Sequence, residues 1–238
     1  MAEILRALSK ALKSLLRPIM FWHALWPPIV ALLIWIGVAT QLWTPAKVWL
    51  TANLPQLPWQ GWGWLADWLA QAGLLLVLAP LVYFTAILLV ATFALPRMMT
   101  IVAAADYPEL ERRGRDAVTG SIFNTLAAGL VYVVGWIVTL PLLLVPGGFV
   151  VLPIAWAAWL NQRTFRFDAL ADHATPDERR AIIAECRGPL YLAGFVTALL
   201  AHVPLLNLLA PAFTALVYVH LCLAALRRQR AVNRGELK

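Results

Sequence analysis

Apolar residues recur along the first part of the chain with the period of a helix. At about 100° per residue, Ile4, Leu5, Leu8, Leu12, Leu15 and Leu16 fall within roughly one third of a helical wheel, and Arg6, Lys10, Lys13 and Arg17 lie opposite. Residues 1–17 therefore predict a basic amphipathic helix lying flat on a membrane, with leucines at the acyl boundary and cations among the headgroups. An amphipathic helix packed against the protein is the alternative. The pattern then changes to long charge-free stretches. Residues 20–43 carry no formal charge and are long enough to span, since about 20 apolar residues cross a 30 Å hydrocarbon core. Residues 70–96 form a second such stretch, interrupted by Pro80 and closed by Arg97.

Between these two spans, residues 44–69 carry only Lys47 and Asp67, and hold Trp49, Trp59, Trp62, Trp64 and Trp68, with Trp43 at the edge. Poverty in Lys/Arg and wealth in Trp predict an extracytoplasmic interfacial loop whose rings are belt anchors rather than a ligand cage. Pro45, Pro55 and Pro58 are expected to break any long helix there. Residues 97–116 are charged and read as a cytoplasmic loop.

The rest of the chain alternates between charge-free and charged blocks. No charge occurs in residues 117–162, a run of 46, or in residues 188–226, a run of 39. Arginine-containing blocks flank each run, so the positive-inside rule places all the flanks on one side and makes each run go in and come back. Turn chemistry lies near each middle: Pro141 and Pro146-Gly147-Gly148 in the first, Pro204, Asn207 and Pro211 in the second. Two crossings need about 40 residues plus a turn. The first run suffices and the second is short, which predicts that at least the second hairpin is re-entrant. Backbone that turns at that depth must face protein or water. Between the hairpins, residues 163–187 are charged, and Thr175-Pro176-Asp177-Glu178 predicts a helix start, with Thr175 as N-cap, Pro176 at N1 and Glu178 at N3. Residues 227–238 form a basic tail.

Composition agrees with this reading. Hydrophobic residues make up 62% of the 238 positions and charged ones 13%, about half the roughly 25% of soluble domains. A single soluble core in a chain this short cannot hide so much apolar surface. The net charge of +7 fits basic cytoplasmic segments rather than nucleic-acid binding. Cys186 and Cys222 make no disulfide framework, and His23, His173, His202 and His220 have no ligand spacing, so no metal and no cofactor is expected. The chain encodes no P-loop and no catalytic constellation, and it is read as not an enzyme. Ser121 and Asn124 have no histidine partner in sequence, and Asp168, Asp172, Asp177, Glu178 and Glu185 sit among arginines and are read as ion-paired. With no carboxylate inside the apolar segments, a proton relay is disfavoured and a channel-like route favoured. Helix ends and backbone N–H groups at the second hairpin tip can hold anions without a charged side chain. Asn207 is a candidate there, or else the cap of the helix that follows. His202 and His220 are read as packing hydrogen bonds or as donors in a wet cavity.

The C-terminal third carries Arg163-Thr164-Phe165-Arg166-Phe167-Asp168, then Asp177-Glu178-Arg179-Arg180, Arg187, and Val203-Pro204-Leu205-Leu206-Asn207-Leu208-Leu209 followed by Pro211. In this order they resemble the CysZ-type sulfate permeases of the wider etoposide-induced-protein family. The order of segments fits nearly the whole chain, with weaker motif similarity over residues 11–36. The resemblance implies an all-α integral inner-membrane protein with two long spanning helices, two hemi-penetrating hairpins and both termini cytoplasmic. It also implies a homo-oligomer, and uptake of sulfate for cysteine synthesis. One stretch departs from it. Where the permeases carry Gly-Leu-Arg near the start of the first span, this chain has Ile19-Met20-Phe21-Trp22. A guanidinium that forks onto an oxyanion has no aromatic substitute.

The expected function is therefore a permease for sulfate or a related small anion. Arg17 and His23 receive the anion at the mouth of the first span, and Asn207 contributes a helix-end dipole. Arg163, Arg179, Arg180 and Arg187 raise the local anion concentration. The alternative is a non-transporting membrane-organising or assembly protein that binds lipid and partner proteins. Alanine at both Arg17 and His23 is expected to reduce anion flux, and unchanged flux removes those two residues from the site.

Overall fold

The computed structural model describes residues 2–53, 63–114, 117–200, 202–203 and 206–236. Every regular element among them is helical: α1 (Ala2–Leu15), α2 (Pro18–Asn53), α3 (Gly63–Leu89), α4 (Leu95–Asp106), α5 (Ala117–Thr139), α6 (Gly148–Ala171), α7 (Pro176–Glu185), α8 (Arg187–Leu200) and α9 (Leu206–Asn233). Among the described residues, three stretches are long and apolar enough to cross a membrane: Pro18–Asn53, Thr119–Leu144 and Leu209–Asn233. Pro55, Pro58, Trp59, Trp62, Pro204 and Leu205, which the sequence reading used for its loop and hairpin tip, lie outside the described residues.

The chain divides into two compact units, residues 23–94 and residues 1–22 with 95–238. In the smaller unit, α2 and α3 run antiparallel. Trp35 Nε1 donates to Thr85 Oγ1 at 2.9 Å, and Lys47 Nζ meets Asp67 at 2.7 Å. These contacts correct the expected loop boundaries. Helix α2 continues to Asn53 through Pro27, Pro28 and Pro45, and α3 already starts at Gly63. A proline removes one intrahelical hydrogen bond, but packed apolar helices re-satisfy the freed group locally. The Lys47–Asp67 pair holds the extended end of α2 on α3. Trp49, Trp64 and Trp68 stand exposed on these extensions, as interfacial anchors do.

The larger unit is built around α9. It touches α1, α4, α6, α7 and α8. Within its apolar window 78% of residues are buried, against 6% for Thr119–Leu144. A helix apolar on all sides is either a protein core or a lipid-facing span. Here α9 is the first kind, with Leu216, Val217, Tyr218, Val219, Leu223 and Leu226 inside, and α5 is the second, with Phe123, Leu126, Leu130 and Val138 outside. Helix α1 shows the packed alternative for the amino terminus. Ile4, Ala7, Ala11, Ser14 and Leu15 are buried on its α9 side, while Leu5, Leu12 and Leu16 point outward.

The first hairpin turns where expected. Pro141 opens a 3-10 turn, Leu140–Leu144, and Gly147 takes φ +83°, a left-handed conformation that costs glycine nothing. The second is asymmetric. Helix α8 has 14 residues, a rise of about 21 Å, whereas α9 has 28. Pro211, expected in the turn, lies inside α9. Residues 163–171, expected in the charged connector, continue α6, and only α7 is a separate connecting helix. It starts as predicted. Thr175 Oγ1 accepts from Glu178 N at 3.3 Å, and Glu178 Oε2 accepts from Thr175 N at 2.8 Å. The α7–α8 junction bends by 76°.

One buried ion pair fastens these parts. Arg230 Nε and Nη2 donate to the two carboxylate oxygens of Glu178 at 2.8 and 3.0 Å. The same guanidinium donates to His173 O at 2.7 Å and Glu111 O at 3.2 Å. Arg230 holds the Glu178 carboxyl below its usual range. A depressed folded pKa means that this stabilisation is present above the unfolded value and is lost as pH falls through the folded one. Arg230→Ala is expected to destabilise the protein by about 3–5 kcal/mol, the range for breaking a buried pair, and Glu178→Gln by less. In thermal melts, the wild-type advantage over Glu178→Gln should be present at neutral pH and shrink as pH falls below about 4.5, the ordinary glutamate value.

Candidate anion site

Helix α6 turns one face, Ala158, Gln162, Arg166 and Ala169, inward, a spacing of one helical turn per step. The approach of α8 is close. A Cβ on Gly194 would lie 2.6 Å from Ala158 O and 2.9 Å from the Tyr218 hydroxyl. Tyr218 is fixed by donating to Leu190 O at 2.8 Å and by stacking on Phe165, with ring centroids 6.1 Å apart.

Into this packed junction α6 places a charge. Arg166 is 9% exposed, and no carboxylate pairs with it among the described residues. Burial, and then the neighbouring Arg163, push its pKa down from the ordinary value. A guanidinium stays protonated under such pressure, so the site keeps a buried positive charge. One turn away, Gln162 is 1% exposed and its Oε1 has no hydrogen-bond partner. Which amide atom points which way is set by the surrounding partners, so an acceptor at this place turns the NH₂ toward it. A buried unpaired guanidinium and a buried unsatisfied amide on one face are a costly arrangement for an empty core. The guanidinium is a donor that a small oxyanion satisfies, and the amide joins it as a donor only when its NH₂ is the end turned toward the anion.

The residues singled out from the sequence stand elsewhere. Arg17 Nη2 is paired with Asp106 Oδ1 at 2.8 Å. His23 is half-buried in the smaller unit, while Arg17 belongs to the larger. Asn207 is the second residue of α9, and its backbone N–H donates to Val203 O at 3.0 Å. Arg163 flanks Arg166 on α6, and its carbonyl accepts from Asn124 Nδ2 at 3.2 Å. The Arg179 guanidinium lies 4.3 Å from the centroid of the Phe167 ring, one turn along α6 from Arg163. Arg180 pairs with Asp177, both in solvent, and Arg187 is exposed at the start of α8. Of the set, Arg163 lies on α6 one turn before Arg166, a residue that sequence reasoning passed over, and Arg179 reaches α6 from α7 through the Phe167 ring. Arg166 could be found only through its partners, and nothing local says which arginine ends without a carboxylate.

A match over residues 7–211 to the family model described as sulfate transporter CysZ/etoposide-induced protein 2.4 covers most of the chain. The chain belongs to this family. No curated protein and no solved structure matches it. The family is one of transporters rather than enzymes, and its sulfate-transporter description makes an anion the class of substrate. In this family member the α6 junction offers such a substrate an unpaired guanidinium.

The two other histidines in question make packing bonds. His202 Nδ1 meets Ala198 O at 2.8 Å. His220 is 1% exposed, with Nε2 at 2.9 Å from Ser14 Oγ and Nδ1 at 3.2 Å from the Tyr107 hydroxyl. This polar knot, with Asp106 Oδ2 4.0 Å from Nε2, joins α1, α4 and α9.

An unpaired buried charge burdens the empty protein, and a bound anion relieves it. Arg166→Met is therefore expected to leave the thermal midpoint unchanged or higher without ligand. It should also erase the rise that sulfate gives the wild type, which linkage puts at about 2.7 kcal/mol at a hundredfold excess over Kd.

Proposed function

We propose that this protein is an inner-membrane permease for sulfate or a related small anion, with Arg166 as its central binding residue. The observation that carries this reading is the burial of Arg166 without a carboxylate, in a chain of the sulfate transporter family. Arg163 and Arg179 raise the positive potential around it. Arg17, engaged by Asp106, and the exposed Arg180 serve the approach rather than the binding step, Asn207 contributes a helix-end dipole, and His23 is a further anion donor in the smaller unit. Transport through a family member without the usual Gly-Leu-Arg stretch then rests on the interior arginine.

The short α8, about 21 Å long, supports a second hairpin that enters without crossing the 30 Å core. The outward apolar face of α5 supports lipid or a second subunit around the first hairpin. Both termini are cytoplasmic, where the arginine-rich blocks belong.

A second reading, a membrane-organising protein without transport, is favoured by Phe21 and Trp22, which stand exposed where the family carries its anion-binding stretch. Radiolabelled sulfate uptake into proteoliposomes, with chloride, phosphate and sulfite as competitors, separates the two. Saturable uptake above empty liposomes is expected. Arg166→Lys keeps the charge and loses the planar fork, and should cut uptake roughly 10- to 100-fold, about 1.4–2.8 kcal/mol. Folded, oligomeric protein that moves no oxyanion overturns the permease reading.

A further inference from the structure

The largest concentration of charge lies away from Arg166. A cavity of about 670 Å³ opens between α1, the segment after α4 and the end of α9. Five cations line it, Arg6, Lys10, Arg227, Arg228 and Arg234, against three carboxylates, Glu3, Glu109 and Glu236. Each of those carboxylates is already engaged. Glu3 takes Arg228, Glu109 takes Arg227 at 3.5 Å, and Glu236 takes Arg234 at 2.9 Å. Arg6 and Lys10 have no carboxylate within ion-pair distance among the described residues. The cavity therefore keeps two uncompensated positive charges, both on α1. Between the cations its wall is apolar and made of small side chains, Ala7, Ala224 and Ala225 with Leu221.

A freely hydrated ion gains nothing from such a wall, whereas a phosphate carried on a glycerol backbone does. The outward face of α1 adds a second, independent observation. Leu5, Leu12 and Leu16 are 62, 51 and 66% exposed, and Ile19 one turn on is 52% exposed. A stripe of this kind seats a helix at the boundary between acyl chains and headgroups. Arg6 and Lys10 are then at headgroup depth, beside a cavity that is polar on one side and apolar on the other. The geometry points to a binding site for an anionic phospholipid headgroup between α1 and α9. A lipid with two phosphates, such as cardiolipin, matches the two free charges. The ring of Tyr107, with Lys10 and Arg227 at 5.7 and 5.4 Å from its centroid, holds those two cations in place. The site is independent of the anion route, since none of its lining residues is at the α6–α8 junction.

Native mass spectrometry of the full-length protein tests this, after equilibration in detergent with equimolar phosphatidylcholine, phosphatidylglycerol and cardiolipin. The wild type is expected to retain one cardiolipin in preference to phosphatidylcholine, by about tenfold or more. Arg6→Gln with Lys10→Gln should lower that preference to the level of phosphatidylcholine. Arg112→Gln with Arg180→Gln removes two exposed cations elsewhere and should keep it. All these positions are exposed, and matching thermal melts establish that the variants fold. Equal cardiolipin retention by both double variants overturns the site. Displacement of the lipid by millimolar inorganic phosphate overturns the lipid as its ligand and makes it a free-phosphate site. Because binding is read without flux, failure of the permease reading leaves this result intact, and the reverse holds as well.

Discussion

At the end of α9, the guanidinium of Arg230 reaches the carboxylate that caps α7, the carbonyl that closes α6 and the carbonyl of Glu111 in the segment after α4. Of these elements α7 depends on it most, because α7 is a short polar helix with one buried apolar side chain, Ile182. Burying such a pair is favourable only when the remaining hydrogen-bonding groups are satisfied, and Arg230 does this by using carbonyls as well as Glu178. In the bundle around α9, α6 and α8 come into backbone contact, and Arg166 is buried on the same face of α6. The two buried arginines thus differ: Arg230 has its carboxylate and two carbonyls, and Arg166 has no carboxylate among the described residues.

The features legible in the sequence are those whose signals are local. Thr175, Pro176 and Glu178 announce the start of α7 within four positions, and Pro141 with Gly147 announce the first turn. What failed was remote. Glu178 has a second partner 52 residues away, and the Arg17 side chain is taken by Asp106, 89 residues away. Charge counting marked off the charge-free runs, yet it could not say which apolar helix faces protein. Helix α9 is apolar because other helices cover it. No periodicity distinguishes α9 from α5, because both are apolar on every side.

The same reasoning explains the candidate site. Sequence selects arginines by density, and density marks places where carboxylates are dense too, as at Arg180 and Asp177. An anion site needs an arginine without a carboxylate, and that is a property of the fold. Arg166 lies one turn inside the charged block and pairs with no carboxylate among the described residues, the nearby Asp168 accepting from Ser121 Oγ instead.

The Lys47–Asp67 pair has a consequence beyond holding α2 against α3. These are the two Lys, Arg, Asp or Glu residues of the smaller unit, and they cancel. A lone lysine moved across a membrane works against the potential, at about 2.3 kcal/mol per 100 mV. A contact pair carries no net charge and feels almost none of that force. The smaller unit thus carries no net charge from its lysine and carboxylate, and the surplus of positive charge that membrane voltage acts on lies in the larger one.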